Sequence, residues 1–153
     1  MKRHLRPIVC GLLLAGFAHA AGAGPTAVED SALYDALGGN PGIAALVETF
    51  SARLVSDPRS APMFQDVDLA KLKARLREQL CEVSGGPCVY KGKDMETAHA
   101  GVDITKAHFN AVVEMLQDAM DGQRVAFRDQ NRLLARLAPM HRQIVNSAPG
   151  RTH

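Results

Sequence analysis

The chain has 153 residues, enough for one domain of ordinary size, and its 46% hydrophobic content supplies a real core, which excludes a wholly disordered chain. Three of its 18 basic residues, Lys2, Arg3 and Arg6, lie in the first twenty positions and none of the 16 acidic ones does, so the remainder carries 15 basic against 16 acidic side chains, a formal charge of −1. Without a basic stripe or interleaved aromatics, that remainder offers nothing to a nucleic acid or an anionic membrane surface.

Residues 1–20 read as a secretory signal: the basic residues, an apolar run from Ile8 to Phe17, and the small tripeptide Ala18-His19-Ala20, after which cleavage is expected. The run is shorter than the roughly 20 apolar residues that span a bilayer. No membrane anchor is therefore expected after cleavage, and the expected location is the periplasm of a Gram-negative bacterium. The domain plan that follows is a signal over 1–20, a linker over 21–29, one helical domain over 30–147 and a tail over 148–153. Export also bears on Cys81 and Cys88, because an oxidising compartment favours their pairing and the Gly85-Gly86-Pro87 turn folds the chain back between them. A disulfide is expected, with two free buried thiols as the alternative; a zinc site lacks further ligands at suitable spacing.

Every periodic stretch has helical spacing. Ser31 is placed to cap a short helix through Leu37 that ends at Gly38-Gly39. Asn40-Pro41 offers a second start, with Ile43, Leu46, Val47, Phe50 and Leu54 on one face. After Asp57-Pro58 an irregular stretch carries Phe64, and Asp66 and Asp68 offer the next cap. The third helix has the stripe Leu69, Leu72, Leu76, Leu80 and Val83. From Cys88 to Thr105 the chain is loop-like except for one turn of helix, Asp94 to His99. Thr105 caps a longer helix with Phe109, Val112, Val113, Leu116 and Met120 inward, and a break near Asp121-Gly122 leads to a last helix, Asp129 to Asn146. Its buried face is Leu133, Leu134, Leu137, His141, Ile144 and Val145, and Pro139 should kink it. Five main helices around one core define an all-α fold. The connection from Gly85 to Thr105 is longer than compact domains leave without structure or function.

Four histidines follow the signal: His99, His108, His141 and His153. A G-x-S-x-G elbow, an H-E-x-x-H pair and a phosphate-binding glycine loop are all missing, which weakens a hydrolase reading. His99, on a short helical turn with Met95 one turn before it, has the setting of a proximal haem ligand. Spacing alone leaves that reading beside the commoner one, a hydrogen-bonded structural histidine. His108 is placed to cap its neighbour, and His141 reads first as a core histidine bonded to a backbone carbonyl.

Taken together, Leu33-Tyr34-Asp35-Ala36-Leu37-Gly38-Gly39, Phe50 with Asp57-Pro58, Phe64, Gly85-Gly86-Pro87, Tyr90-Lys91-Gly92, Met95-Glu96-Thr97-Ala98-His99, His108-Phe109 and Leu137-Ala138-Pro139 resemble the group 1 truncated haemoglobins. The likeness runs from about Ala32 to Val145. It implies a two-over-two helical sandwich, haem b (iron protoporphyrin IX) as cofactor, and His99 as the iron ligand. It further implies cofactor contacts from Phe64, Leu72, Arg75, Leu76, Tyr90, Met95 and Phe109, with Arg75 placed for a haem propionate. Phe50, Ser51, Leu72, Leu76 and Gln79 would form the distal pocket, and His141 matches a position where a histidine can meet a haem vinyl group.

The departures concern the distal side. Oxygen-holding members tend to carry a tyrosine where this chain has Ser51 and a glutamine where it has Leu76, so a pocket poorer in hydrogen-bond donors is expected unless Gln79 or a water reaches in. The function implied is reversible binding of O2, NO or CO. A haem enzyme (an NO dioxygenase or peroxidase-like activity served by an unidentified reductant) and a gas sensor or haem carrier stand as alternatives.

Overall fold

The computed structural model describes residues 27–145, with side chains from residue 31 onward; the expected signal and C-terminal tail lie outside them. The elements are α1 (Ala27–Ala36), α2 (Gly39–Ser56), a 3-10 turn (Ala61–Phe64), α3 (Leu69–Val83), α4 (Met95–His99), α5 (Lys106–Gly122), α6 (Phe127–Leu137), a second 3-10 turn (Ala138–Met140) and α7 (His141–Val145). Strands are absent among the described residues, as the helical spacing predicts.

Local chemistry explains most boundaries. Asp68 caps α3 by accepting the Lys71 N–H at 3.0 Å. Thr105 caps α5 by accepting the His108 N–H, and His108 Nδ1 accepts the Thr105 N–H in return, so His108 completes a reciprocal cap. Three starts differ from expectation. Helix α1 begins before Ser31, which lies inside it rather than capping it. Helix α2 is capped by Gly38, whose left-handed φ of 83° reverses the chain, so Asn40 and Pro41 fall within the first turn. Pro41 is tolerated there because first-turn N–H groups have no partner inside the helix. The single helix expected over Asp129–Asn146 starts at Phe127 and is broken in two, since Pro139 removes a donor and crowds the preceding turn, leaving a 3-10 turn between α6 and α7.

Four helices form a closed ring of contacts: α2 packs on α3 and α5, and α6 packs on the same two. Leu33, Ile43, Leu46, Val47, Met120 and Leu133 are essentially excluded from solvent at its centre. Burying side chains of this size stabilises by about 1.5–3 kcal/mol each. Across α2 and α3, Glu48 receives Lys73 and Arg77. The α3 stripe departs from expectation at its start: Leu69, on the first helical residue, is 38% exposed, and within the stripe only Leu80 is buried. Leu72 and Leu76 stop at half-burial.

Candidate cofactor site

Helix α4 is five residues long and is held by fasteners rather than by length. Asp94 accepts both the Thr97 N–H and the Thr97 hydroxyl at 2.8 Å, and the Thr97 amide holds its carboxyl below the ordinary range. One turn later His99 Nδ1 lies 2.7 Å from the Met95 carbonyl oxygen. A carbonyl only accepts, so the proton of this bond sits on Nδ1, and Nε2 is the ring nitrogen left to meet a metal. Met95 is buried and His99 half-buried.

The segment leading to α4 is tied to α3 at three points. Cys81 and Cys88 are joined by a disulfide, with Cα atoms 5.7 Å apart. The Tyr90 N–H donates to Glu82 Oε1 at 3.1 Å, and the Lys91 N–H donates to Glu78 Oε2 at 3.0 Å. The Lys91 amide first, then the Arg75 guanidinium at 2.6 Å, hold the Glu78 carboxyl below its ordinary value. The Tyr90 hydroxyl donates to the Lys93 carbonyl at 2.8 Å, and burial pushes its phenol upward. Gly86 is required at this corner, because a Cβ there would come within 2.7 Å of Cys81 Sγ and collide with the Tyr34 ring.

Opposite α4, the residues Leu72, Leu76 and Gln79 lie on one face of α3 at helical spacing. Gln79 fixes where that face looks: its Nε2 donates to Met95 Sδ at 3.4 Å and to Met140 Sδ at 3.5 Å. Arg75, on the flank of the same face, is engaged with Glu78. The His141 ring stands edge-on to Phe109 with centroids 4.6 Å apart, and both line a hollow of about 550 Å³ with Ala138, Pro139 and Arg142. On α2, Phe50 is part of the ring's core, while Ser51 is 1% exposed and its hydroxyl finds no hydrogen-bond partner. Phe64 packs half-buried against the same core.

The structure thus brings Met95, His99 and Gln79 into one chain of contacts, Arg75 to Glu78 and Tyr90 to Glu82 on successive turns of α3, and Phe109 and His141 into a third group. Sequence reading missed Met140, Glu78 and Glu82. The two glutamates stand one helical turn apart on α3, which is the only signal they carried.

Among the described residues no three His, Cys, Asp or Glu side chains gather as a metal cage. One histidine with Nε2 left to meet a metal, backed by half-buried apolar side chains, suits an iron that arrives with four nitrogens of its own, as in haem. A model of the bacterial-like globins matches residues 32–146. The chain belongs to the bacterial-like globin family.

Group 1 truncated hemoglobin GlbN of a Nostoc species is 34% identical over 116 residues, covering 76% of this globin and 98% of the relative. The protein of that name from Mycolicibacterium paratuberculosis is 29% identical over 123 residues, covering 80% and 90%. Among solved structures, the Fe(III) form of truncated hemoglobin from Tetrahymena pyriformis superposes with a TM-score of 0.72 at 26% identity, covering 74% of this globin and 97% of that chain. The group II truncated hemoglobin from Bacillus anthracis gives 0.67 at 29% identity, covering 78% and 94%. The ring of α2, α3, α5 and α6 is the two-over-two arrangement of these neighbours.

Proposed function

We propose that this globin is a group 1 truncated haemoglobin that holds haem b through His99 and reversibly binds a diatomic gas, O2, NO or CO, after export to the periplasm and loss of residues 1–20. The observation that carries the reading is the His99 Nδ1 bond to the Met95 carbonyl, which fixes the ring's tautomer and orientation and presents Nε2. When bound, haem supplies an iron with a coordination position left for the gas. The chain's own residues do the rest. Phe64, Leu72, Leu76 and Phe109 give apolar contact and exclude water. Tyr90, fixed by its bond to Lys93, walls the loop side. Arg75 would hold a propionate, its guanidinium shared between that carboxylate and Glu78.

On the gas side neither Leu72 nor Leu76 can donate a hydrogen bond, and Ser51 contributes a short, buried hydroxyl without a protein partner. Such a pocket favours CO and NO over tightly held O2, because bound oxygen gains most from donors. His141, edge-on to Phe109 in the hollow they share, would meet a vinyl group. The disulfide suits an oxidising compartment.

Reconstitution with haem followed by ligand exchange tests this. The expected result is a Soret band that shifts with CO in the ferrous state, with O2 released at least tenfold faster than from a donor-rich variant, Leu76→Gln. A chain that takes up no haem refutes the reading, and O2 release unchanged by Leu76→Gln refutes the donor-poor pocket.

A further inference from the structure

The α3 face interrupts its own pattern at position 79. Leu72 and Leu76 are followed, at helical spacing, by an amide that is half-buried among apolar side chains. A buried amide is costly unless it is bonded. The partners of Gln79 Nε2 are two thioethers, Met95 Sδ at 3.4 Å and Met140 Sδ at 3.5 Å, so three elements meet at one side chain: α3, α4 and the 3-10 turn before α7. Thioether sulfur is a weak acceptor. Two such bonds hold the amide less firmly than carbonyls would, and their value lies in where they lead. Met95 accepts from Gln79 through its sulfur and from His99 Nδ1 through its backbone carbonyl. The contacts therefore run unbroken from α3 through Met95 to the imidazole.

We infer that Gln79 is a positioning residue for His99: by clasping Met95 and Met140 across the site it fixes α4, and through the Met95 carbonyl it fixes the plane and tautomer of the histidine. This rests on the reading of His99 as the iron ligand. The clasp makes the set of the imidazole depend on the opposite helix, so side-chain changes on α3 alter the bond between histidine and iron without touching either. Leucine at 79 keeps the bulk and loses the donor. Glutamate keeps the shape but, when ionised, only accepts.

The test uses the full-length chain loaded with haem, as wild type, Gln79→Leu, Gln79→Glu, Met95→Leu and the Gln79→Leu/Met95→Leu double variant. Resonance Raman of the ferrous form reads the iron–histidine stretch, and transfer to an excess of a haem-accepting apoglobin reads haem loss. Each single variant is expected to shift or broaden the stretch and to speed haem loss about tenfold, the lower end of what the loss of a partner behind a metal ligand costs. The double variant should lose no more than Gln79→Leu alone, because that change already cuts the contact that Met95→Leu removes. Wild-type stretch and haem loss within twofold in Gln79→Leu, or additive losses in the double variant, overturn the inference. If Gln79→Leu loses helical signal, Met95→Leu decides by the same criteria. If wild type takes up no haem, the proposed function fails instead, and exchange of the His99 Nδ1 proton in the haem-free chain decides the clasp: faster in Gln79→Leu supports it, unchanged refutes it.

Discussion

In the ring of α2, α3, α5 and α6, side chains such as Leu46, Val47, Met120 and Leu133 are wholly buried, whereas between residues 84 and 105 only Ser84, Met95 and Ile104 are buried. The ring is held by apolar area removed from water. The segment carrying α4 is held by a disulfide, two carboxylates on backbone amides, an aspartate cap and the Gln79 clasp. Burial is non-directional and sets how stable the chain is. Hydrogen bonds and the disulfide are directional and set where the His99 ring sits. The two regions should therefore fail differently: damage to the ring unfolds the chain, and damage to the fasteners loosens the site first.

The largest expected effect is in the ring. Leu46→Ala should cost about 2–5 kcal/mol in urea or thermal unfolding, with α2, α3 and α5 lost together. A cost below about 1 kcal/mol would mean that the stability does not reside there. Cys88→Ser should cost about 2–3 kcal/mol, the closure entropy of so short a loop, and a dithiol reductant should give the same loss. Amide exchange should then rise in residues 89–99 well before it rises in α2; uniform acceleration would erase the distinction between the regions. Thr105→Ala, which removes the cap of α5 at the border between them, should cost about 1 kcal/mol.

The smallest effect is that of pH. Glu78 and Asp94 have lowered carboxyl pKa values because backbone amides bind their ionised forms. Their contribution is complete above the unfolded values of 4.5 and 3.8 and is lost as pH falls through the lower folded values. Amide exchange at Lys91 and Thr97, corrected for intrinsic rates, should accelerate below about pH 4 while Leu46 stays protected. Equal protection at both places down to the unfolding midpoint would show that the carboxylates hold nothing.

How much of this was legible in the sequence follows the range of each interaction. Asp68, Asp94 and Thr105 could be read as helix starts because a cap is a contact over three residues. At the start of α2, Gly38 and Asn40-Pro41 are competing signals two residues apart, and the left-handed glycine wins. Pro139 announced a disturbance, but whether the helix bends or breaks depends on what packs against the turn. At the site, the spacing of Met95 and His99 is a local fact and was visible. The bond from Gln79 to Met140 joins residues 61 positions apart, and nothing in either neighbourhood points to the other. Glu78 and Glu82 are not legible in the same way, because their partners are backbone amides, which carry no residue-type signature.

The most direct test of the proposed site is the ferrous spectrum of the haem-loaded chain, wild type beside His99→Ala and His141→Ala. Loss of the wild-type ferrous Soret band in His99→Ala, restored by added imidazole, with the band retained in His141→Ala, is the expected result. A His99→Ala spectrum indistinguishable from wild type would contradict His99 as the iron ligand.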